Sequence, residues 1–310
     1  MINPAIKVEN ISRRFGDIAA VDEVSFSVSP GELFGLVGPD GAGKTTLLRM
    51  LAGVLRPNRG DADLLGVSVS TEPETVKQEI AYMPQRFGLY TDLTVMENLN
   101  FYADLYAVSK RERKQRLERL FHFSNLGPFK TRLAGALSGG MKQKLALSCA
   151  LIHMPKILLL DEPTFGVDPI SRRDLWLIVH EMVEEGVTAI VSTAYMDEAE
   201  RFDRVALLNK GQVLAMDSPD QLQDNLEGDI LTVMSSSPRK ARDVLRTETF
   251  VKQASLFGDK LHVIVRSASK DIPQVEQLLD QNGLSDVVIN KTSASLEDVF
   301  IQYMNNSTSE

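Results

Sequence analysis

The fold of this chain is decided by the stretch Gly38-Pro39-Asp40-Gly41-Ala42-Gly43-Lys44-Thr45-Thr46. It has the spacing of a P-loop, follows a short apolar run and precedes leucines at helical spacing. Glycines let successive backbone N–H groups wrap a phosphate, and the start of the next helix adds unpaired N–H donors. We therefore predict a nucleotide site in which Lys44 meets the outer phosphates and Thr45 offers a hydroxyl to Mg²⁺.

A second motif ends an apolar run with two carboxylates, at Asp161 and Glu162 in the sequence ILLLDEP. The carboxyl ends of buried strands form the edge at which ligands bind in an open α/β sheet. Asp161 is predicted to hold Mg²⁺ through water, and Glu162 to polarise the attacking water as a general base. Two acids at a strand end can also cap a helix, but the P-loop in the same chain favours the functional interpretation.

Composition restricts the function classes. The 310 residues carry a formal net charge of −8, which argues against a dominant nucleic-acid surface. The single cysteine, Cys149, excludes an intramolecular disulfide and lies in an apolar run typical of a core. No apolar run approaches the roughly 20 residues of a spanning helix, and the first residues do not resemble a signal peptide. We expect any membrane role to come through a partner.

The pattern along the chain predicts two domains. Residues 5–222 are predicted to form one domain. Along it come short antiparallel strands, the P-loop unit, a mostly helical part at about 88–152, and then alternating strands and helices. Residues 229–310 read as a small α+β domain of order βαββαβ followed by a helix. The predicted fold class is α/β, a P-loop core with an antiparallel β subdomain and a helical subdomain, plus the C-terminal domain.

Five motifs in one order resemble those of the ABC (ATP-binding cassette) ATPases over about residues 5–220. They are the P-loop, Gln85, Leu137-Ser138-Gly139-Gly140-Met141, the acidic strand, and Gly166-Val167-Asp168-Pro169. The tail, with SASLEDVF at Ser293–Phe300, resembles the C-terminal extension of ATPase subunits from daunorubicin-resistance-type and related multidrug exporters.

The resemblance implies a role for each matching position. Phe15 would stack on adenine, although a lone aromatic also fits core packing, and Gln85 would contact Mg²⁺ or the attacking water. The loop that would hold the ATP phosphates comprises Gly38, Asp40, Gly41, Ala42, Gly43, Lys44, Thr45 and Thr46. Asp168 would lie at a dimer seam. Phe87–Leu99 would receive a coupling helix of a membrane subunit, although ordinary core packing of the helical part also explains its leucines. The N–H groups at Ser138, Gly139 and Gly140 would clasp the γ-phosphate held by an opposing nucleotide-binding domain.

One departure from the family pattern is serious. In VSTAYMDEAE, Val191–Glu200, alanine stands at position 194, where the family normally has a histidine that contacts the γ-phosphate and aligns the catalytic glutamate and water. Ser192 and Tyr195 remain candidates to replace that contact after a local shift. Asp40 replaces the usual asparagine with little expected effect, and Met141 replaces the usual glutamine but leaves the neighbouring glycines intact.

The sequence thus predicts an ATP-hydrolysing subunit at the cytoplasmic face of the membrane, with ATP and Mg²⁺ as cofactors. Its expected partners are integral membrane permease subunits, for export of drugs or amphipathic molecules, and a second nucleotide-binding domain in a homo- or heterodimer. Because of Ala194, its own site is expected to turn ATP over slowly while its LSGGM motif completes a competent site on a different domain. The alternatives are an ABC ATPase that works on ribosomes or DNA without a membrane partner, and a regulatory ATP-binding module.

Overall fold

The structure, a computed structural model, describes residues 3–86 and 88–307, which form two compact units divided between Met216 and Asp217. The strands of the first unit are β1 (Ile6–Phe15), β2 (Ile18–Val28), β3 (Leu33–Val37), β4 (Arg59–Leu64), β5 (Val67–Ser68), β6 (Ile80–Met83), β7 (Ile157–Asp161), β8 (Thr188–Thr193), β9 (Arg204–Asn209) and β10 (Gln212–Asp217). Its helices are α1 (Lys44–Leu51), α2 (Pro73–Glu79), α3 (Val95–Leu105), α4 (Lys110–Ser124), α5 (Gly139–Leu151), α6 (Pro169–Glu184) and α7 (Met196–Ala199).

The central sheet brings the two nucleotide motifs to one edge. Its strand order is β10-β9-β3-β8-β7-β6, and the pairs β3–β8, β3–β9, β7–β8 and β6–β7 are parallel. Every residue of β3 and β7 is buried, as expected of parallel strands covered on both faces. The P-loop follows β3 and Asp161 ends β7, so both lie at the carboxyl edge with β8 between their strands.

An antiparallel sheet of order β2-β1-β4-β5 carries Phe15 to the end of a hairpin. Its strands alternate buried and exposed residues, and Ile6, Val8 and Ile11 of β1 join the core under α1. Phe15 pairs with Ile18 beside the turn that connects β1 and β2. This sheet and the parallel sheet confirm the predicted fold class.

The helical part contains α3, α4 and α5, each with a side-chain N-cap, from Thr94, Ser109 and Ser138. Residues 144–151 of α5 are all buried, because this helix packs against α3, α4 and α6. Cys149 lies among them with no exposed surface, and burial raises the pKa of its thiol. This matches the prediction of a core cysteine.

From β11 onward the second unit has the predicted order βαββαβ followed by a helix, and one short helix, α8, precedes it. Its elements are α8 (Pro219–Asp224), β11 (Asp229–Met234), α9 (Pro238–Leu245), β12 (Val251–Phe257), β13 (Lys260–Val265), α10 (Ala268–Gln281), β14 (Val288–Thr292) and α11 (Leu296–Ser307). The antiparallel sheet has the order β12-β13-β11-β14, and α9 and α10 pack on one face over a separate core.

The SASLEDVF segment has a structural role in this unit. Asp298 is fully buried and accepts hydrogen bonds from the N–H and hydroxyl of Ser295, which orders the first turn of α11. Its carboxylate also lies 3.1 Å from Nδ1 of His262 on β13. Within the described part of the chain, no helix is both long and apolar enough to cross a bilayer.

Candidate functional site

The P-loop is folded around its own lysine. Lys44 Nζ, almost fully buried, donates hydrogen bonds to the carbonyls of Gly38 at 2.7 Å and Pro39 at 3.2 Å. Gly43 has φ +105°, and a Cβ there would lie 2.3 Å from the carbonyl oxygen of Ala20, so only glycine fits without a backbone shift. The loop therefore closes tightly at the start of α1.

Gly38 serves packing in this structure. A Cβ on it would lie 2.2 Å from the carbonyl oxygen of Leu208, so the absent side chain lets the loop approach β9. The residues from Asp40 to Thr46 instead line the cleft itself.

Asp161 and Thr45 bring two hard oxygen donors together. Thr45 Oγ1 donates to Asp161 Oδ1 at 2.9 Å, although the two residues come from α1 and β7. Mg²⁺ favours oxygen ligands and takes one or two carboxylates together with substrate phosphates, so this donor set fits the ion. Tyr82 OH donates to Asp161 Oδ2 at 3.4 Å, and burial, followed by the charge of Asp161, raises the pKa of Tyr82 to about 12.

Glu162 faces the lysine and the glutamine. Its Oε1 lies 3.2 Å from Lys44 Nζ, and its Oε2 accepts a hydrogen bond from Gln85 Nε2 at 2.8 Å. The backbone of Glu162 has φ +48°, a left-handed conformation that costs a non-glycine residue roughly 1–2 kcal/mol. Strained backbone of this kind clusters at functional sites. The structure thus gathers the three residues predicted as catalytic.

These residues border a cleft of about 440 Å³. It is lined by Phe15, Ala20, Asp40, Gly41, Ala42, Gly43, Lys44, Thr45, Thr46, Gln85, Glu162 and Phe165. Phe15 is 47% exposed beneath the guanidinium of Arg13, which excludes core packing and leaves an aromatic ring at the cleft. Phe165, 57% exposed, was not foreseen from the sequence, although an aromatic three residues after the second acid was the available signal.

Among the described residues that line this cleft, none comes from the segment Val191–Glu200 that contains Ala194. Ala194 is exposed at the end of β8. The hydroxyl of Ser192 is fully buried and hydrogen bonded to Asp161 and to the backbone of Glu162. The guanidinium carbon of Arg172 lies over the ring of Tyr195, 4.5 Å from the ring centroid. The hydroxyl of Ser192 is therefore engaged elsewhere, and the ring of Tyr195 is packed against α6.

The LSGGM motif lies at the start of α5, beside the start of α6. Ser138 caps α5 by accepting from the N–H of Met141, and Asp168 caps α6 by accepting from the N–H of Ser171 at 2.9 Å. That backbone bond also lowers the pKa of Asp168. A Cβ on Gly140 would lie 2.1 Å from Ser171 Oγ, so glycine permits the close packing of α5 on α6. Ser138, Gly139 and Asp168 are exposed there, on surface outside the cleft lining.

A second cleft of about 320 Å³ joins Gln85 to the start of α5. Its lining includes Arg86, Leu89, Gly139 and Lys142. In the segment predicted to receive a coupling helix, Phe87 lies outside the described residues, and Tyr90 is 47% exposed. The side chain of Asn98, fully buried, binds both the N–H and the carbonyl of Tyr90 and holds this loop on α3.

Comparisons with known proteins agree with this geometry. Residues 21–165 match the family model of the ABC transporter. The chain is 43% identical over 310 residues to the probable multidrug ABC transporter ATP-binding protein YbhF of Escherichia coli, covering 98% of this chain but 53% of that protein, about half of its length. It is 35% identical to the Nod factor export ATP-binding protein I of Burkholderia lata, covering 96% of each chain.

The solved structures that resemble this chain include ATP-binding cassettes of ABC transporters. An ATP-binding subunit of an ABC transporter matches with a TM-score of 0.65 and 31% identity, covering 71% of this chain and 92% of that one. The dimeric post-hydrolysis state of the ATP-binding cassette MJ0796, bound to ADP and Pi, matches with a TM-score of 0.63 and 26% identity, covering 69% of this chain and 98% of that one. The chain therefore belongs to the ATP-binding proteins of ABC transporters.

Proposed function

We propose that this chain is the ATP-hydrolysing subunit of an exporter for drugs or other amphipathic molecules, of the daunorubicin-resistance type. In this proposal residues 5–222 form the ATP-binding domain, with its helical part at about 88–152, and residues 229–310 form an accessory domain. The domain works at the cytoplasmic face of the membrane with integral permease subunits and a second nucleotide-binding domain, and binds no nucleic acid. The names of two relatives, a probable multidrug transporter protein and a Nod factor export protein, support this proposal.

In its own cleft each side chain has a distinct task. Phe15 stacks on the adenine, the backbone of Asp40–Gly43 and the side chains of Lys44 and Thr46 hold the phosphates, and Thr45 and Asp161 hold Mg²⁺ with Gln85. Bound Mg²⁺ supplies charge neutralisation of the phosphate oxygens. Glu162 accepts a proton from the attacking water, and Gln85, hydrogen bonded to it, orients that carboxylate.

The observation that carries the proposal of an attenuated site is the placement of residues 192–195. The side chain of Ala194 has no hydrogen-bond donor for a γ-phosphate, the hydroxyl of Ser192 is bound to Asp161 and Glu162, and the ring of Tyr195 packs under Arg172. Loss of one donor aimed at developing charge slows catalysis by roughly 10²–10³-fold. We infer that this cleft binds ATP and turns it over slowly.

The exposed start of α5 is the surface that would contact a second nucleotide-binding domain. The N–H groups at Ser138, Gly139 and Gly140 form a helix start suited to an anion, with Ser138 and Gly139 exposed and Asp168 beside them at the start of α6. We propose that this surface completes an ATP site on a second domain that carries the histidine, which makes the working dimer a heterodimer. The exposed Tyr90 loop and the second cleft would receive the permease.

The first test measures ATP hydrolysis by the chain alone and after Ala194→His. Slow turnover that rises about 100- to 1,000-fold with the histidine would support the proposal. A chain that hydrolyses ATP rapidly and gains nothing from Ala194→His would contradict the attenuated site.

The second test uses a complex reconstituted with the permease subunits and the second ATPase domain. Lys44→Ala disables this chain's own site, whereas Ser138→Arg blocks the surface that completes the partner's site. Lys44→Ala is expected to cost less turnover than Ser138→Arg. Equal losses would contradict the asymmetry, and failure to assemble with permease subunits would contradict the transport role.

A further inference from the structure

Ser192 forms hydrogen bonds to both Asp161 and Glu162. Its Oγ accepts a hydrogen bond from the backbone N–H of Glu162 at 3.0 Å and donates one to Asp161 Oδ1 at 2.8 Å. The side chain has no exposed surface, and the register of β7 with β8 sets Ser192 opposite Asp161. One hydroxyl therefore binds the backbone of one acid and the carboxylate of the other.

The bond to Glu162 supports a strained backbone. Glu162 has φ +48°, and its N–H is shared between the Oγ of Ser192 and the carbonyl oxygen of Ser192 at 3.2 Å. A left-handed non-glycine residue persists where its surroundings over-determine it. These bonds stabilise the turn at which the chain leaves β7 and at which the Glu162 side chain meets Lys44 and Gln85.

The bond to Asp161 orients a carboxylate. Oδ1 of Asp161 accepts from Ser192 and from Thr45, and Oδ2 accepts from Tyr82 at 3.4 Å. A carboxylate with donors on both oxygens has a defined plane, which a metal ligand needs. The neighbouring hydroxyl of Thr193 takes no part, since it donates to Glu198 at 2.7 Å.

We propose that Ser192 is a positioning residue for the Mg²⁺–nucleotide complex, aligning Asp161 towards the metal and Glu162 towards the water. This is the function that the segment around Ala194 retains without a histidine. The inference rests on the proposed nucleotide site and adds a residue to it. Partners that orient a metal ligand contribute about 10- to 100-fold to metal affinity or activity.

The experiment measures the Mg²⁺ concentration that half-saturates binding of a fluorescent ATP analogue to the full-length chain. Ser192→Ala is expected to raise this concentration about tenfold, because the carboxylate of Asp161 loses its fixed plane. Affinity for the analogue without Mg²⁺ should remain unchanged, since the P-loop backbone is untouched. Ser192→Thr keeps the hydroxyl and should keep the parent's Mg²⁺ dependence.

Ser124→Ala is the matched control. Ser124 is equally buried, donates to the carbonyl of Leu120 and accepts from the N–H of Leu126, but lies at the end of α4. It should leave the Mg²⁺ dependence unchanged. Where Ser192→Ala does not fold, Ser192→Cys removes the strong hydrogen bonds at similar size and carries the same expectation.

Two results would overturn the role of Ser192 alone. One is a parental Mg²⁺ dependence in Ser192→Ala or its cysteine substitute. The other is an equal loss in Ser192→Thr, because the hydroxyl would then not be the group that matters. A parent chain that binds no nucleotide would overturn the proposed function itself and the role of Ser192 with it.

Discussion

Lys44 Nζ lies 3.2 Å from Oε1 of Glu162, and both side chains are about nine-tenths buried or more. The lysine begins α1 and the glutamate directly follows β7, so the pair links the phosphate loop to the acidic strand. The cation expected to meet the phosphates and the acid expected to activate water therefore share one contact. In the proposed site, the carboxylate of Glu162 and the phosphates of ATP would compete for the ammonium of Lys44.

Glu162→Gln is expected to hold ATP about three- to tenfold tighter than the parent. The ammonium is then released from a carboxylate, and the phosphates meet one negative charge fewer at short range. Equilibrium binding of labelled ATP measures the change. Glu118→Gln, on the exposed face of α4, makes the same charge change and should have no effect. Weaker binding in Glu162→Gln would show that the carboxylate itself supports the nucleotide.

Gly140→Ala is expected to destabilise the first unit by about 1–3 kcal/mol. The new Cβ would lie 2.1 Å from Oγ and 2.3 Å from Cβ of Ser171, which is overpacking between two helix starts. Urea unfolding measures the loss.

Gly139→Ala is the matched control for this change, since its Cβ would have no neighbour nearer than 3.9 Å. It should be neutral or gain up to about 1 kcal/mol from helix propensity. Adding Ser171→Gly to Gly140→Ala should restore stability. Equal unfolding free energies for the two alanine variants would contradict the close packing.

Trp176 is the single tryptophan of the chain and reports on the segment that follows Ala194. Its Nε1 donates to Glu198 at 3.3 Å, and that buried carboxylate also accepts from Thr193 and lies 3.5 Å from Nε of Arg172. Arg172→Ala removes the nearby cation and the contact with the ring of Tyr195. We expect a shifted Trp176 emission and a loss of roughly 2 kcal/mol in the free energy of unfolding.

Arg173→Ala, exposed on the same helix, is the control for Arg172→Ala. It should leave the fluorescence and the stability of the parent intact. Identical emission spectra for all three proteins would show that Arg172 does not stabilise this network.

His153 makes the stability of the first unit depend on pH. Its ring stacks on Tyr106 with 3.8 Å between centroids, Nε2 donates to the carbonyl of Ile80 at 3.1 Å, and burial lowers its pKa. In the window between this lowered value and the unfolded value of about 6.5, the unfolded chain binds more protons than the folded one. Stability therefore rises with pH across that window and falls on acidification through it.

His153→Gln is expected to flatten this dependence when calorimetric melting temperatures are compared from pH 7.5 to pH 5. The exposed His122 supplies the control, because His122→Gln should keep the parent's slope. A slope unchanged by His153→Gln would contradict the assignment to His153.

Much of the site could be predicted because its motifs are contiguous. The spacing from Gly38 to Thr46 brings glycines, a lysine and a hydroxyl to one loop, and the run ending at Asp161 predicts a buried strand. The structure confirms the fold class and gathers Lys44, Gln85 and Glu162, as expected. The domain division and the catalytic and binding roles stay predictions.

The packing role of Gly38 could not be predicted, because it depends on a neighbour that is distant in sequence. Gly38 is required by the carbonyl of Leu208 on β9, and no local pattern indicates that approach. The same holds for Tyr82, which reaches Asp161 only because β6 and β7 are paired.

The sequence by itself determined the motifs of this protein: a phosphate-loop pattern, two acids after a buried strand, a serine before a helix, and alanine at position 194. These depend on spacing along one stretch of chain, which sets backbone geometry locally. Only the tertiary structure decided that Ser192 binds both acids, that Gly140 packs on Ser171, and that Arg172 covers Tyr195. Strand order and helix packing create those contacts, because β8 lies between β3 and β7 and α5 packs on α6.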